Sequence, residues 1–350
     1  MPVQVDPNRS SYDSQGGATD PSRKPSSQLQ EQSSQRVTIG LINNMSETAF
    51  KTTERQFVSL LNSASEGIQI SLSLYVLPGI LGAESSGHRA GSRYSSVETL
   101  WDTHLDGLIV TGREPMTPNL RDESYWESFT KVLEWARENT YSTVWSCLAA
   151  HGAVLHMDGI GRRKSDDKNF GVYECVRVSD HRLTAGLSPH LQMPHSRWNS
   201  VAEEELMASG YSVLTRTADA CVDTFVKQEN SLFVFFQGHP EYESDTLLRE
   251  YRRDVGRYLR GEMNKYPLVP RGYFDLSTEG ALIALREKAM FCRSEELLAN
   301  VTAILEEKKI ENTWHSTAAS IYRNWLEYIC AQKNESQRDG YEDVAYPVSL

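Results

Sequence analysis

The chain has 350 residues, of which 39% are hydrophobic and 24% are charged, as in an ordinary globular protein. Asp and Glu number 47 against 36 Lys and Arg, and the net charge of −11 argues against a general nucleic-acid-binding surface. No stretch approaches the about 18 to 20 consecutive apolar residues of a transmembrane helix and no secretory signal is recognisable, so we expect a cytoplasmic protein without membrane partners.

The N-terminal segment, residues 1–36, is rich in Ser, Gln, Asp, Gly and Pro and contains almost no large apolar side chains. Such a segment cannot bury enough apolar surface to offset the entropy that it would lose on ordering. We therefore predict a disordered tail over residues 1–36 and an ordered domain that begins at Val37.

From Val37 onward, short apolar runs alternate with amphipathic segments. The runs have the length and composition of buried strands, and the segments between them carry apolar residues at helical spacing. Such alternation with short connections predicts a doubly wound, mostly parallel α/β sheet. The predicted strands are 37–42, 68–76, 105–111 and 142–146, and the predicted helices are 53–62, 123–139 and 148–157.

One cysteine lies where a predicted strand meets a predicted helix, in TVWSCLAAHG at residues 143–152. In doubly wound sheets, ligands bind outside the carboxyl ends of the strands, and Cys147 stands at such an end. Free cysteines are also among the most buried residue types, so on this stretch alone a core cysteine and a nucleophile remain equally open. The five cysteines are scattered without CxxC or zinc-ligand spacing, and we predict neither disulfides nor a metal site.

A second strand end supplies possible partners for this cysteine, in LFVFFQGHPEYE at residues 232–243. Pro240 cannot continue a ladder, so the chain leaves the sheet there. His239 and Glu241 are two apart in an extended segment and project on the same side. A thiol nucleophile needs a base within reach and a third group that orients the base, which predicts a Cys147–His239–Glu241 triad.

The remaining chain reads as shorter strands between residues 170 and 236, followed by helices. One helix begins near Asp245, and three further helical pieces cover about 278–291, 294–308 and 314–331. We therefore predict a catalytic domain over residues 37–274 and a helical C-terminal extension over 275–350 that packs on it.

These segments together resemble a known enzyme family. SCLAAHGAVLHMDGI and GHPEYESDTLLREYRRDV, with INNM, TERQF, DGLIVTG, ESYWESF, FGVYE, MPHSR and YRNWLEYICAQ, look like the homoserine O-acyltransferases of the class I glutamine-amidotransferase-like superfamily. The resemblance runs in order from about residue 37 to 333 and omits a stretch near 275–311 that looks like an insertion. It implies a flavodoxin-like fold and acyl transfer from acyl-coenzyme A to the homoserine hydroxyl through a cysteine thioester.

The resemblance also implies roles for individual residues. Cys147 would carry the acyl group, His239 would be the base and Glu241 its orienting partner, and the Leu148 backbone N–H would stabilise the oxyanion. A second oxyanion donor is expected in the 43–51 loop. Three positions match the family's residues for binding the amino acid: Lys168, Ser196 and Arg253. No permanently bound cofactor is implied, because acyl-CoA is a co-substrate, and a homodimer is left open.

Departures from the family bear on the substrates. The family commonly has Trp directly after the cysteine and Gln four residues after it, where this chain has Leu148 and His151. Met116 occupies the family's acyl-specificity position, which is Gly for succinyl and Glu for acetyl. A bulky side chain there would leave less room and offer nothing to a succinyl carboxylate, so acetyl is favoured over succinyl. The acceptor is expected to be homoserine or a close analogue such as serine.

The alternative function is a glutamine amidotransferase-like hydrolase that uses the same triad. Amidotransferases usually flank the cysteine with glycines, as in G-x-C-x-G. The sequence around Cys147 is Ser-Cys-Leu-Ala, which counts against this alternative.

Overall fold

Residues 2–6, 35–80, 93–219, 221–306 and 308–342 are described by a computed structural model. Eleven strands within these ranges form one sheet, in the order β1-β3-β2-β5-β6-β11-β10-β9-β7-β8, with β4 beside β3. The strands are β1 Val3–Val5, β2 Gln35–Ile42, β3 Ile68–Val76, β4 Tyr94–Ser96, β5 Gly107–Thr111, β6 Ser142–Ser146, β7 Arg163–Arg177, β8 His190–Ser200, β9 Ser212–Thr217, β10 Val222–Gln228 and β11 Leu232–Phe236.

Helices cover both faces of the parallel part of this sheet. The side chains of β11 show the division, because Val234 and Phe236 pack with α1 and α8, whereas Phe233 and Phe235 pack with α2, α3 and α4. A further cluster joins α5, α6 and α7 to the antiparallel part. The helices are α1 Glu47–Ala64, α2 Trp126–Asn139, α3 Leu148–Asp158, α4 Glu203–Ala208, α5 Thr246–Leu259, α6 Leu276–Phe291, α7 Glu295–Glu306 and α8 His315–Glu342.

This architecture confirms the predicted fold class, a doubly wound, mostly parallel α/β sheet with helical C-terminal additions. The apolar runs of β5, β6 and β11 are buried along their whole length, as strands covered on both faces must be. Of the helices that the structure describes, none combines the length and apolar composition needed to cross a bilayer.

The topology brings four strand ends to one edge. Strands β2, β5, β6 and β11 are mutually parallel neighbours, with Ser146 in register with both Thr111 and Phe236. Their carboxyl ends, and the loops that follow them, therefore lie side by side. Cys147 follows β6 and the Gln237–Glu241 segment follows β11, so adjacent strands deliver the two halves of the predicted triad.

The disordered-tail prediction is wrong for the first residues of the chain. Val3–Val5 forms strand β1, parallel to β3, and Val3 is buried against the core. The edge of β3 offers backbone hydrogen-bond partners to β1, which the composition of the tail does not reveal. The buried side chain of Val3 adds apolar contact with the core. Gln35 and Arg36 already belong to β2. The rest of the predicted tail, residue 1 and residues 7–34, lies outside the described residues.

The last helix is part of the main core. Trp325 on α8 is buried, and its indole N–H donates to Ser142 Oγ on β6 at 2.9 Å. Gly107 on β5 permits the close approach, because a Cβ there would lie 2.7 Å from Ile329 Cδ1 and 3.1 Å from the Trp325 ring. Helix α8 thus shares one core with the sheet, while the domain boundary at residue 275 stays a prediction.

We expect Trp325→Ala to lower the free energy of unfolding by about 3 to 5 kcal/mol, the usual cost of truncating a buried Trp. Urea unfolding followed by circular dichroism would measure the change. Trp101→Ala is the matched control, because Trp101 is 36% exposed and its truncation leaves no comparable cavity. Equal effects of the two substitutions would contradict a core role for α8.

Candidate active site

Cys147 occupies a sharp turn between β6 and α3. Its φ of 53° and ψ of −112° make it the one non-glycine residue with positive φ among those that the structure describes. The Cys147 N–H donates to the Phe236 carbonyl at 2.7 Å, and the Cys147 carbonyl accepts from Ala150 N at 3.0 Å. Such strain is characteristic of a nucleophile turn, which lifts the side chain clear of the sheet edge at the positive end of a helix.

His239 and Glu241 meet in the geometry that the sequence predicts. The two atoms His239 Nδ1 and Glu241 Oε1 are 2.9 Å apart, and both side chains are buried. The His239 N–H donates to the Pro194 carbonyl at 2.8 Å, and the Tyr242 ring stacks on the imidazole with centroids 4.2 Å apart. With Nδ1 held by Glu241, the imidazole directs its other nitrogen to the Cys147 thiol.

Electrostatics favour a protonated imidazole at this position. Burial alone would lower the pKa of His239, but the negative charges of Cys147 and Glu241, and their hydrogen bonds, outweigh it and raise the pKa well above its ordinary value. The arrangement therefore favours an imidazolium on His239 beside the Cys147 sulfur. A thiolate is the reactive form of cysteine, so the pair suits nucleophilic chemistry.

The N-terminal turn of α3 packs tightly against a glycine that sequence reasoning missed. A Cβ on Gly112 would lie 2.6 Å from Leu148 Cβ and 2.7 Å from both Leu148 N and Ala149 N. The backbone after β5 therefore touches the amide predicted to stabilise an oxyanion. In the 43–51 loop, Asn44 is instead engaged with Thr111 through two hydrogen bonds. The position of Gly112 directly after a predicted strand end is the sequence feature that indicates such a close backbone approach.

The three predicted amino-acid-binding residues lie around a partly buried carboxylate, that of Glu250. Its Oε2 accepts from Ser196 Oγ at 2.5 Å, and Lys168 Nζ lies 3.5 Å from the same atom. Tyr242 donates to Oε1 at 2.7 Å. Arg253 sits at the rim, paired with Asp254 at 2.8 Å and with its side chain 56% exposed.

Glu250 is ionised despite its burial. Burial would raise its pKa, but the Lys168 charge and the hydrogen bonds from Ser196 and Tyr242 lower it below the ordinary value. Sequence reasoning missed Glu250, although it precedes Arg253 by three residues on α5 and so shares its helical face. Tyr242 joins this cluster to the triad, since it stacks on His239 and donates to Glu250.

The departures from the family pattern have clear structural positions. Met116 is 75% exposed, and its role in acyl specificity stays a prediction. His151 Nε2 lies 3.0 Å from Gln237 Oε1, while Gln237 Nε2 donates to the Val222 carbonyl. Burial lowers the pKa of His151 to about 4. His151 is therefore a neutral link between α3 and the segment after β11.

A second buried cluster, Cys175, His195 and Asp223, lies behind the triad and has the composition of a metal site. Its hydrogen bonds do not fit one. Arg197 Nε donates to His195 Nδ1 at 3.2 Å, which leaves the proton of the neutral imidazole on Nε2, 3.1 Å from Asp223 Oδ1. A metal-bound histidine donates from its second nitrogen, whereas this one accepts. Burial also raises the pKa of the Cys175 thiol and keeps it protonated.

Comparison with known proteins places these residues in context. The family model for homoserine O-succinyltransferase matches residues 24–336. The homoserine O-succinyltransferase of Rhodopseudomonas palustris is 43% identical over 290 residues, covering 83% of this chain and 87% of that protein. The enzyme of the same name from Bradyrhizobium japonicum is 42% identical over 294 residues, covering 84% and 90%. A glutamine amidotransferase structure from Thermotoga maritima aligns with a TM-score of 0.47 at 12% identity, covering 85% and 98%.

We expect Glu241→Gln to lower the pKa of His239, because the substitution removes one of the negative charges that raise it. A pH titration of the imidazole by NMR would measure the change. A raised folded-state pKa adds stability that is complete below the unfolded value of about 6.5 and is lost as the pH rises through the folded value, so the variant should lose stability in that lower range.

The control for this titration is Glu243→Gln. Glu243 is two residues away but pairs with Arg55 at the surface, so the pKa of His239 should not move. An unchanged pKa of His239 in Glu241→Gln would exclude the carboxylate as the partner of the imidazole.

Proposed function

Because this chain belongs to the homoserine O-succinyltransferase family, we propose that it transfers a succinyl group from succinyl-coenzyme A to the hydroxyl of homoserine. The observation that carries this proposal is that Tyr242 links His239 of the predicted triad to a charged pocket suited to an amino acid. The names of the relatives, which are succinyltransferases, do not support the acetyl donor favoured by the sequence alone.

In the first half-reaction, the Cys147 thiolate attacks the thioester carbonyl of succinyl-CoA. The oxyanion of the tetrahedral intermediate is stabilised by the Leu148 N–H at the helix N-terminus, with the Gly112 backbone as the neighbouring candidate donor. The bond to the CoA sulfur then breaks, and the protonated His239 supplies the proton that makes CoA a thiol. The products are succinyl-Cys147 and a neutral imidazole.

In the second half-reaction, homoserine replaces CoA. The neutral His239 takes the proton of the homoserine hydroxyl, whose oxygen attacks the succinyl thioester. Collapse of the intermediate breaks the carbon–sulfur bond, which restores the thiolate and the imidazolium and releases the ester. Glu241 keeps the imidazole in one orientation through both steps, with Nδ1 held at 2.9 Å.

The charged pocket supplies groups of both signs for the amino acid. The partly buried carboxylate of Glu250 suits the α-ammonium group, and the half-exposed guanidinium of Arg253 and the Lys168 ammonium suit the α-carboxylate. Ser196 and Tyr242 hold the Glu250 oxygens in place. Tyr242 contacts both this pocket and the imidazole of His239. An amino acid bound in the pocket would therefore present its side-chain hydroxyl toward His239.

Incubation with succinyl-CoA in the absence of homoserine should add the mass of one succinyl group to the intact chain. Cys147→Ala should abolish the adduct, because it removes the nucleophile, whereas Cys221→Ala should retain it. Homoserine should then discharge the adduct faster than serine does. Intact-mass spectrometry at successive times measures all three results.

Two outcomes of this experiment would contradict the proposed function. One is an adduct that persists in Cys147→Ala, since the acyl group would then reside elsewhere. The other is the absence of an adduct together with hydrolysis of glutamine, which would favour the amidotransferase-like alternative.

We expect Glu250→Gln to raise the KM for homoserine by about tenfold to a hundredfold, the range that loss of a charge-assisted hydrogen bond predicts. The rate of succinyl-Cys147 formation should stay near that of the unchanged protein, because no amino acid takes part in that step. Stopped-flow measurement of CoA release separates the two. An equal loss in both half-reactions would show that Glu250 acts on the triad and not on the amino acid.

A further inference from the structure

Arg162 carries an unexplained buried donor. Its Nη2 donates to the Pro118 carbonyl at 2.9 Å, but its Nη1 is buried and has no hydrogen-bond partner among the residues that the structure describes. A buried guanidinium nitrogen without an acceptor is costly, and such orphan donors often mark a place where a ligand binds. Burial accordingly lowers the pKa of Arg162.

A second arginine lies nearby in the loop that follows β5. Arg113 is half-buried and lines a narrow cleft together with Gly112, Tyr125, Leu148 and Ala149. Within the described part of the chain, no hydrogen bond or ion pair engages its guanidinium. The acidic residues of the same loop do not occupy it: Glu114 faces Arg257 at 4.0 Å, and Glu123 Oε1 accepts from the backbone of Met116 and Thr117.

Both arginines act electrostatically on Tyr125, which lines the same cleft as Arg113. Both of their charges oppose the rise in the pKa of Tyr125, which burial and Glu123 bring to about 12. The Arg162 charge also reaches His151, one helical turn after Cys147. Arg113 therefore lines the cleft beside Leu148, the residue that follows the proposed nucleophile, and Arg162 contacts the loop of Arg113 at the Pro118 carbonyl.

We propose that Arg113 and Arg162 bind the free carboxylate of the succinyl group and so select succinyl-CoA over acetyl-CoA. This inference rests on the proposed function, because it assigns a receptor to the acyl group carried by Cys147. A guanidinium can hold a carboxylate through two parallel hydrogen bonds, and a site built to do so discriminates strongly against a ligand that lacks the group. Acetyl has no such carboxylate and leaves both arginines unpaired.

This site differs from the pocket for the amino acid. That pocket contains Glu250, whose negative charge would repel the succinyl carboxylate, whereas the cleft beside Leu148 is lined by the cation of Arg113, and Arg162 contacts the same loop. Gly112 and Leu148, which lie close together, line the same cleft as Arg113. A thioester on Cys147 could therefore direct its distal carboxylate to the arginines while its carbonyl oxygen stays at the Leu148 N–H.

The test compares two donors in the first half-reaction, with Arg113→Met and Arg162→Met as variants. The second-order rate of thioester formation with succinyl-CoA should fall by about tenfold to a hundredfold in each variant, as loss of a charge-assisted hydrogen bond predicts. The rate with acetyl-CoA should stay within about twofold. Arg163→Met is the control, since the neighbouring Arg163 pairs with Glu205 at the surface and should alter neither rate.

Each other outcome overturns the assignment. Equal losses with both donors would place the arginines on the phosphates of CoA, which the donors share. Unchanged rates with both donors would show that neither arginine contacts the acyl donor. If the unchanged protein forms a thioester with neither donor, the proposed function itself fails, and that result is separate from any effect of the variants.

Arg162→Met could also destabilise the chain, because this side chain is partly buried. Arg162→Lys keeps the charge but loses the fork geometry, and its succinyl rate should fall less than that of Arg162→Met. Arg113→Met, in an accessible loop, tests the same prediction independently of Arg162.

Discussion

The hydrogen bond from the Cys147 N–H to the Phe236 carbonyl, 2.7 Å long, is the constraint on which the site depends. It extends the parallel ladder between β6 and β11 by one hydrogen bond beyond the Ser146–Phe236 pair. The end of β6, which carries the thiol, is therefore held against the end of β11, which leads to His239. The turn costs about 1 to 3 kcal/mol of backbone strain. Two apolar layers packed on opposite faces of β6 and β11 hold the turn in place.

The segment after β11 is held from three directions, which explains how a short loop can keep His239 in one position. Gln237 N donates to the Asp223 carbonyl on β10, and His239 N donates to the Pro194 carbonyl on β8. The Gln237 side chain links the neutral His151 on α3 to the Val222 carbonyl. The curled antiparallel part of the sheet thus supports the site that the parallel part creates.

Much of this architecture follows from local sequence. Buried strands such as β5, β6 and β11 are continuous apolar runs, and a proline after Gly238 and His239 ends the last one unambiguously. The partners that sequence reasoning missed depend on contacts between distant segments. Glu250 meets Ser196 across 54 residues, and Gly112 meets Leu148 only because β5 and β6 are neighbours. Strand β1 depends on an edge that only the folded sheet provides.

The balance of charge in the site leaves room for one more anion. The carboxylate of Glu241 faces His239, that of Glu250 faces Lys168, and that of Asp223 faces His195 and two threonine hydroxyls. Each of these three carboxylates therefore has polar or charged partners within the protein itself. Among the described residues, the Arg113 guanidinium has no such partner and Arg162 Nη1 has no acceptor, in a chain whose net charge is −11. A donor that brings its own carboxylate satisfies both groups, and an uncharged acyl group cannot.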